Sequence, residues 1–221
     1  MYPAAIEEYI RPNTVAEALA AMGRYDAGDA LLMAGGQSAM QAIKTRLLRP
    51  RCVVDLQAVA ELRGVSADGA GVRIGAMTTY AALAEDSSLD GAYQAIRDAA
   101  ARIGDRQVRN RGTLGGRLCW NYVAACTPPV ALALGMEMAL SGKGGERKLA
   151  ADDFLGGPLE TAREEDEILV SLNLPAAPAN TGSAYKKWGL VTDALPVIGV
   201  AAMLSTDGSG ACTSARVAVG G

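Results

Sequence analysis

Two glycine-rich segments that lie far apart in the chain limit the possible folds more than any other feature of the sequence. The first, Gly35-Gly36-Gln37-Ser38, follows a short apolar run and precedes a segment with helical character at residues 39–48. The second spans residues 107–122 and contains Gly115-Gly116. Glycine lets the backbone approach another group closely, because no side chain stands in the way. Each segment can therefore present main-chain amides to a ligand.

A diphosphate is the natural ligand for such amides, since the start of a helix leaves N–H groups unpaired and carries a partial positive charge. Taken alone, either segment reads better as an ordinary turn or surface loop, and the spacing does not fit the G-x-G-x-x-G pattern of Rossmann folds. Together they are more informative, because a dinucleotide has two phosphates and two ring systems and needs several contact regions. We therefore expect the fold to bring the two segments together.

The rest of the pattern predicts an α+β chain. Thr14 and Glu17 have the spacing of a capping box that opens a helix ending near Gly23. Asp68-Gly69 predicts a hairpin turn, and residues 90–103 have apolar positions at helical spacing. The other predicted elements are strands at 31–34, 51–56, 136–140, 168–174, 197–204 and 215–219, a short helix through Ala84 that either Thr78 or Thr79 caps, and a short helix at 128–134.

A linker divides the chain near its carboxyl end. Residues 175–182 (PAAPANTG) are rich in proline, alanine and small polar residues, a composition typical of connecting segments. The predicted domains are therefore residues 1–176 and residues 177–221.

Composition excludes several kinds of site. The sequence has no histidine, which removes Ser-His and Cys-His nucleophile pairs and every histidine metal site. The four cysteines, Cys52, Cys119, Cys126 and Cys212, match no CxxC metal or redox spacing. If the protein carries out redox chemistry, that chemistry must come from a bound cofactor.

Charge and hydropathy exclude other partners. The net charge is −3 and no run of lysine and arginine occurs, so nucleic-acid binding is not expected. No apolar stretch approaches the roughly 20 residues needed to span a bilayer. The first twelve residues lack the basic and apolar regions of a signal peptide. We therefore expect a cytoplasmic protein with reduced thiols.

Four longer strings make a more specific pattern: AGGQSAMQAIKTRLLRPRCVVDLQAVAELRGV at 34–65, VRNRGTLGG at 108–116, DEILVSLNLP at 166–175 and SAYKKWGLVTDALPVIGVAA at 183–202. In this order they resemble the FAD-binding medium subunits of molybdenum hydroxylases, the carbon monoxide dehydrogenase and xanthine dehydrogenase family. The resemblance covers essentially the whole chain. It implies a two-lobed α+β FAD-binding domain of the PCMH/vanillyl-alcohol-oxidase type, followed by a smaller α+β C-terminal domain that we expect to be incomplete.

The resemblance also implies which residues bind FAD. The diphosphate segment comprises Leu32, Met33, Ala34, Gly35, Gly36, Gln37, Ser38 and Ala39. The second segment comprises Thr113, Leu114, Gly115, Gly116 and Arg117. Single contacts fall on Ile103, Leu169 and Lys187. Without the resemblance, Leu169 would read as a core strand residue and Lys187 as a solvated surface lysine. No catalytic side chain and no metal ligand is expected in this chain.

The sequence departs from the family pattern after the second segment. Cys126 stands where the family carries an acidic residue that helps to bind the nucleotide. Asn121 is the hypothetical neutral substitute, as a hydrogen-bond partner of the nucleotide. The iron–sulfur insertion found in one branch of the family is absent from this sequence.

The function implied is electron transfer. The chain would carry FAD and relay electrons from iron–sulfur clusters to an external acceptor. The partners would be a large molybdenum-cofactor subunit and a small iron–sulfur subunit carrying 2Fe-2S clusters, assembled as a dimer of heterotrimers. Lys187 would favour reduced flavin by charge attraction. Two alternatives stay open from the residues: a self-contained flavin oxidase, and a flavin-free scaffold or assembly subunit.

Overall fold

The computed structural model describes residues 4–221, and its strands form three separate sheets. The first sheet is parallel, with the strand order β1-β3-β2. Its strands and connecting helices are β1 (Glu8–Ile10), α1 (Val15–Met22), β2 (Ala30–Met33), α2 (Ala39–Lys44) and β3 (Cys52–Asp55). We call this part of the chain the first lobe. Because its strands are parallel, the segments that follow β2 and β3 emerge at the same edge of the sheet.

Helix α1 begins as the sequence predicts. The Thr14 hydroxyl accepts a hydrogen bond from the Glu17 amide at 3.1 Å. The Glu17 carboxylate accepts from the amide of Asn13 at 2.7 Å, one residue earlier than in a standard capping box. The helix ends at Met22, and Gly23 follows it as predicted. Two of the amides at the start of α1 are thereby satisfied, which fixes where the chain enters the helix.

The second lobe is built on a five-stranded antiparallel sheet with the order β4-β5-β8-β6-β7. Its strands are β4 (Val65–Asp68), β5 (Gly71–Gly75), β6 (Glu137–Gly142), β7 (Gly145–Ala150) and β8 (Glu167–Pro175). Its helices are α3 (Tyr80–Glu85), α4 (Gln94–Ala101), α5 (Arg106–Arg111), α6 (Leu114–Trp120), α7 (Thr127–Leu134) and α8 (Ala151–Phe154). The largest buried cluster lies here and includes Leu118, Met136, Met138 and Phe154. The predicted hairpin at Asp68-Gly69 is confirmed.

The second glycine-rich segment differs from the expected loop. It forms two short helices, α5 and α6, separated by Gly112 and Thr113. The Thr113 side chain caps α6, and Gly115 and Gly116 lie in the first turn of that helix. Gly115 has no alternative to glycine, because a Cβ atom there would lie 2.6 Å from the Cβ of Ala76. Close packing of α6 against the chain after β5 therefore explains why glycines lie inside a helix.

The third sheet follows the predicted linker. It is an antiparallel meander of β9 (Thr181–Trp188), β10 (Ile198–Thr206) and β11 (Cys212–Gly220). The sequence analysis predicted β10 and part of β11 but missed β9. The sheet packs on α4 and α7 of the second lobe, and Tyr185 of β9 is fully buried there. The proposed division into residues 1–176 and 177–221 stays a prediction.

Candidate functional site

A cavity of about 580 Å³ lies between the two lobes. The first lobe contributes β2 and the segment after it, and the second lobe contributes α6 and the start of β8. The volume lies within the range of about 300–1,000 Å³ that is typical of small-molecule sites. Among residues 4–221, no group of histidine, cysteine or acidic side chains is arranged to hold a metal ion. A cavity of this size can hold an organic cofactor or substrate.

The two glycine-rich segments meet at this cavity. A Cβ atom on Gly35 would lie only 1.9 Å from the carbonyl oxygen of Arg111, so the backbones of the two lobes are in direct contact there. A Cβ atom on Gly116 would lie 3.0 Å from the Cβ of Ala34. The prediction that the fold brings the segments together is confirmed. The missing side chain at Gly35 allows this contact between the lobes, and it also lets a ligand approach the backbone.

The first segment offers a row of free amides. Within the described residues, the N–H groups of residues 35 to 39 donate no hydrogen bond to the protein, and the first amide with a partner is that of Met40, which donates to Gly36 O at 3.1 Å. Gly36 has a φ of +74°, a left-handed conformation that favours glycine. Successive unpaired amides at a cavity wall form an anion-binding concavity. This segment can therefore bind a phosphate or diphosphate group.

The second segment does not offer the free amides that we expected of it. The Leu114 amide donates to Thr78 O at 3.1 Å, and the Gly115 amide donates to Ala76 O at 2.9 Å. The Gly116 amide donates to the Thr113 hydroxyl at 3.2 Å. These three amides cap α6 and fix its first turn against residues 76–78, so they are not free to bind a phosphate. The Thr113 hydroxyl hydrogen and the Arg117 side chain, one turn into the helix, are still available to a ligand.

Charged side chains of both signs line the cavity. Three are cationic, namely Arg117, Lys143 and Arg163, and three are acidic, namely Asp26, Glu165 and Asp166. Arg163 is held in place because its Nη1 donates to two backbone carbonyls, each at 2.8 Å. In the part of the chain that the structure describes, Arg117 and Lys143 form no ion pair. The cavity thus has cationic donors available for an anionic ligand. Sequence reasoning missed Lys143 and Arg163, which lie in a turn and a loop without a distinguishing motif.

Two lining residues that can ionise are held neutral. Burial raises the pKa of Tyr80 to about 12, although the neighbouring Arg117 acts in the opposite direction. Burial likewise raises the pKa of the Cys119 thiol to about 11. Because the thiolate is the reactive form of cysteine, Cys119 is a poor nucleophile at neutral pH. Neither Tyr80 nor Cys119 is therefore an ionised nucleophile at neutral pH.

Most of the predicted site residues line the cavity. Those that do are Leu32, Ala34, Gly35, Gly36, Gln37, Ser38, Ala39, Ile103, Thr113, Gly115, Gly116, Arg117 and Leu169. Met33 does not, because side chains alternate along a strand and Met33 points to the other face of β2, where it packs with Ile43 and Val53. Leu114 does not either, since it is buried in the main core.

Asn121 and Lys187 also lie outside the cavity lining. The Asn121 amide donates to Gly157 O at 3.0 Å and to Glu160 O at 2.7 Å, so it holds the loop after α8. The Lys187 ammonium donates to Arg102 O at 3.0 Å, to Thr192 O at 3.1 Å and to Ala194 O. Both side chains are thus engaged by backbone carbonyls, and the predicted contacts with the nucleotide gain no support from the cavity.

Cys126, at the position expected to be acidic, is also not part of the lining. Its side chain is buried beside Tyr185, under the third sheet. The loss of an acidic group there therefore removes no charge from the cavity as it stands.

Comparison with known proteins adds independent information. Residues 4–177 match the family described as "FAD binding domain in molybdopterin dehydrogenase". The chain is 35% identical over 202 residues to the carbon monoxide dehydrogenase medium chain of Hydrogenophaga pseudoflava, covering 91% of this chain and 70% of that protein. It is 33% identical over 216 residues to the xanthine dehydrogenase FAD-binding subunit of Escherichia coli O157:H7, covering 96% of this chain and 73% of that protein.

The fold agrees with a solved structure. A chain of the carbon monoxide dehydrogenase from Hydrogenophaga pseudoflava, determined in a form that lacks the Mo-pyranopterin moiety, superposes with a TM-score of 0.93 at 34% identity. The superposition covers the whole of this chain and 76% of the other. The two-lobed fold expected from the resemblance is therefore confirmed.

Proposed function

The chain belongs to the family of FAD-binding domains in molybdopterin dehydrogenases, and we propose that its inter-lobe cavity holds one FAD with the diphosphate on the amides of residues 35 to 39. The observation that carries this proposal is the row of unpaired amides at the wall of that cavity. The protein is the FAD-carrying, electron-transferring part of an oxidoreductase. Neither a self-contained oxidase nor a flavin-free scaffold is needed to account for these features.

The residues around the cavity fit this cofactor. The amides of residues 35 to 39 can donate to both phosphate groups, and Thr113 and Arg117 can donate from the facing helix. Apolar side chains such as Leu32, Ile103 and Leu169 give the rings of a flavin nucleotide a water-poor environment. The contact of Gly35 with Arg111 keeps both walls close together. FAD, when bound, supplies the redox chemistry, because it can take up electrons one at a time and release them as a pair.

The chain itself binds, orients and shields the cofactor. The fixed amides hold the diphosphate without reorganisation, which positions the rest of the molecule. Arg117 compensates negative charge inside a partly dry cavity, where the interaction is stronger than in bulk water. Burial raises the pKa values of Tyr80 and Cys119, so both side chains are neutral at pH 7 and add no charge to the cavity. No side chain of this chain is assigned a catalytic role.

The partners follow from the names of relatives. The Hydrogenophaga protein is a medium chain of carbon monoxide dehydrogenase, and this chain takes the corresponding place in a complex with a large molybdenum-cofactor subunit and a small iron–sulfur subunit. A dimer of such heterotrimers is the proposed assembly. The substrate is bound in the large subunit and therefore lies outside what this chain determines.

The proposed location is the cytoplasm. In residues 4–221, no helix has the length and apolar character required to cross a bilayer. The four cysteines are all free thiols, which fits a reducing compartment. Cell fractionation with an antibody against this chain tests the location.

Purification from the natural host tests the function. The expected preparation has the absorption spectrum of oxidised flavin, with one FAD per copy of this chain, and contains a larger and a smaller subunit in equal amounts. A flavin-free preparation with both subunits present would contradict the role in electron transfer and favour a scaffold. A flavin-containing chain that is alone and oxidises an organic substrate would favour an oxidase.

A further inference from the structure

The cavity has two chemically different ends. The free amides lie at the carboxyl end of β2, and the apolar side chains of Tyr80, Ile103 and Val108 lie beside them, near Gly112. Residues 22–28 lie at the other end of β2. Because β2 has four residues, its two ends are about 13 Å apart at the usual rise of a strand. The lining at that far end is charged. It comprises Asp26, Lys143, Arg163, Glu165 and Asp166.

Lys143 connects the two lobes at this charged end. It lies in the turn between β6 and β7 of the second lobe, and its side chain extends to the first lobe over the end of α1. A Cβ atom on Gly23 would lie 3.3 Å from Lys143 Cε and 3.5 Å from Lys143 Nζ. Gly23 therefore leaves the space that the lysine tip occupies. The Lys143 side chain, which also lines the cavity, thus reaches from the second lobe to the first.

The Lys143 ammonium is available to a ligand. Among the described residues it forms no ion pair, although three carboxylates line the same end of the cavity. Lys148 lies on the same hairpin and differs, since its Nζ pairs with Glu137 at 3.0 Å. All three ammonium hydrogens of Lys143 thus remain as donors.

We infer that Lys143 binds the adenosine half of the dinucleotide and makes the site select FAD over flavins without that half. This inference rests on the proposed function. With the diphosphate on the amides, an apolar ring system fits the end near Ile103, and the more polar adenosine fits the charged end. The ribose oxygens and the purine ring nitrogens of adenosine accept hydrogen bonds. A protein that binds them must therefore provide hydrogen-bond donors. Lys143 supplies such donors at that end of the cavity.

Titration of the full chain, stripped of bound flavin, tests this role. The variants are Lys143→Met, which removes the charge but keeps the stem, and Lys143→Arg, which keeps a cationic donor. Lys148→Met is the matched control, because it removes a lysine from the same hairpin outside the cavity. Each protein is titrated with FAD and with FMN by quenching of flavin fluorescence, and thermal unfolding checks that all are folded.

We expect Lys143→Met to weaken FAD binding by about tenfold, the size of one charge-assisted hydrogen bond at a partly solvated site. FMN binding should be unchanged, Lys143→Arg should retain most of the FAD affinity, and Lys148→Met should bind both flavins like the wild type. Equal losses for FAD and FMN, or no loss for either, would overturn the inference while leaving the proposed function intact. A wild-type chain that binds no FAD would overturn both.

Discussion

Gly35 has no room for a side chain. A Cβ atom there would lie 1.9 Å from Arg111 O and 2.9 Å from Gly112 Cα, and both neighbours are backbone that cannot rotate away. The same residue begins the row of free amides. If the proposed function is correct, the contact between the lobes and the binding of FAD both depend on this one small residue.

Replacing Gly35 by alanine should separate the lobes locally. We expect Gly35→Ala to lower the free energy of unfolding by about 2 kcal/mol, as overpacking of a tight contact does, and to weaken FAD binding by more than about tenfold. Chemical denaturation and flavin titration measure the two effects. Gly69→Ala is the control, since nothing lies within 4 Å of a Cβ atom there, and it should change stability by less than about 0.5 kcal/mol. Wild-type behaviour of Gly35→Ala would show that the contact is not needed.

Substitution of Asn121 can distinguish a structural role of this residue from a role in nucleotide binding. Its side-chain amide donates to backbone carbonyls of the 156–160 loop, and its φ of +40° is a left-handed conformation that asparagine tolerates better than alanine. We expect Asn121→Ala to cost about 2 kcal/mol of stability and to leave the FAD affinity of the folded fraction within about twofold. Denaturation and titration of the same preparation provide the comparison. A large loss of affinity at unchanged stability would restore Asn121 as a nucleotide contact.

At the scale of helices and strands, the sequence predicted those features that depend on residues close together in the chain. Thr14 with Glu17 and Thr79 each mark the start of a helix, and the structure bears both out, because a side-chain cap is a contact within one turn. The free amides of the first glycine segment were predictable, because the local geometry at the start of a helix leaves them unpaired. The prediction failed where partners come from distant parts of the chain. The amides at the start of α6 bind Thr78 O and Ala76 O, more than thirty residues earlier in the chain, and no local pattern records this.

Strand β9 and the residue Lys143 illustrate the same limit. The sequence of β9 is polar, with Gly182, Ser183, Lys186 and Lys187. Its one deeply buried residue among those described is Tyr185, on the strand that packs on α4. Its strand conformation is therefore fixed by tertiary context rather than by hydrophobic pattern. Lys143 reads as an ordinary turn residue, since its position over Gly23 depends on how the two lobes pack.

The hairpin that carries Lys143 is joined to β8 by an ion pair whose pH dependence can be measured. Arg147 Nε and Nη2 donate to both carboxylate oxygens of Glu167, at 2.6 and 2.8 Å. The hydrogen bond from Arg147 holds the pKa of Glu167 below its usual value of 4.5. The stabilisation is therefore fully present above pH 4.5 and is lost as the pH falls through the lower pKa of the folded state.

Glu167→Gln should therefore destabilise the protein at pH 7 by about 1 to 2 kcal/mol, because Arg147 loses its charged partner. The difference between variant and wild type should shrink as the pH is lowered below 4.5. Denaturation at pH 7 and at several values below pH 5 measures it. Glu146→Gln, which removes an exposed carboxylate from the same hairpin, is the control. If the difference in the free energy of unfolding between Glu167→Gln and the wild type stayed constant across this pH range, the ion pair would not be its cause.

At the scale of the whole molecule, the cavity belongs to neither lobe alone. Its walls come from β2 and the 34–39 segment on one side and from α6 and β8 on the other. The family resemblance predicted this architecture from ordered motifs, whereas residue patterns alone predicted only an α+β chain with two anion-binding segments. A ligand that contacts both lobes should hold them together.

FAD should therefore stabilise the protein as a unit. With free FAD at one hundred times its dissociation constant, the free energy of unfolding should rise by about 2.7 kcal/mol. This corresponds to a rise of roughly 5 to 10 °C in Tm for a chain of this length. Differential scanning calorimetry should give one transition that shifts as a whole. A transition that splits, with only one part moving on addition of FAD, would show that the cofactor binds to a single lobe.

The most direct test of the amide cradle is nuclear magnetic resonance of the 22.7 kDa chain. Spectra of ¹⁵N-labelled protein are compared without ligand, with FAD and with riboflavin, which has the same ring system but no phosphate. We predict that the amide resonances of residues 35 to 39 shift strongly with FAD and little with riboflavin, whereas those of Gly115 and Gly116, which already have partners, shift less. FAD binding that leaves the amides of residues 35 to 39 unmoved would contradict the account.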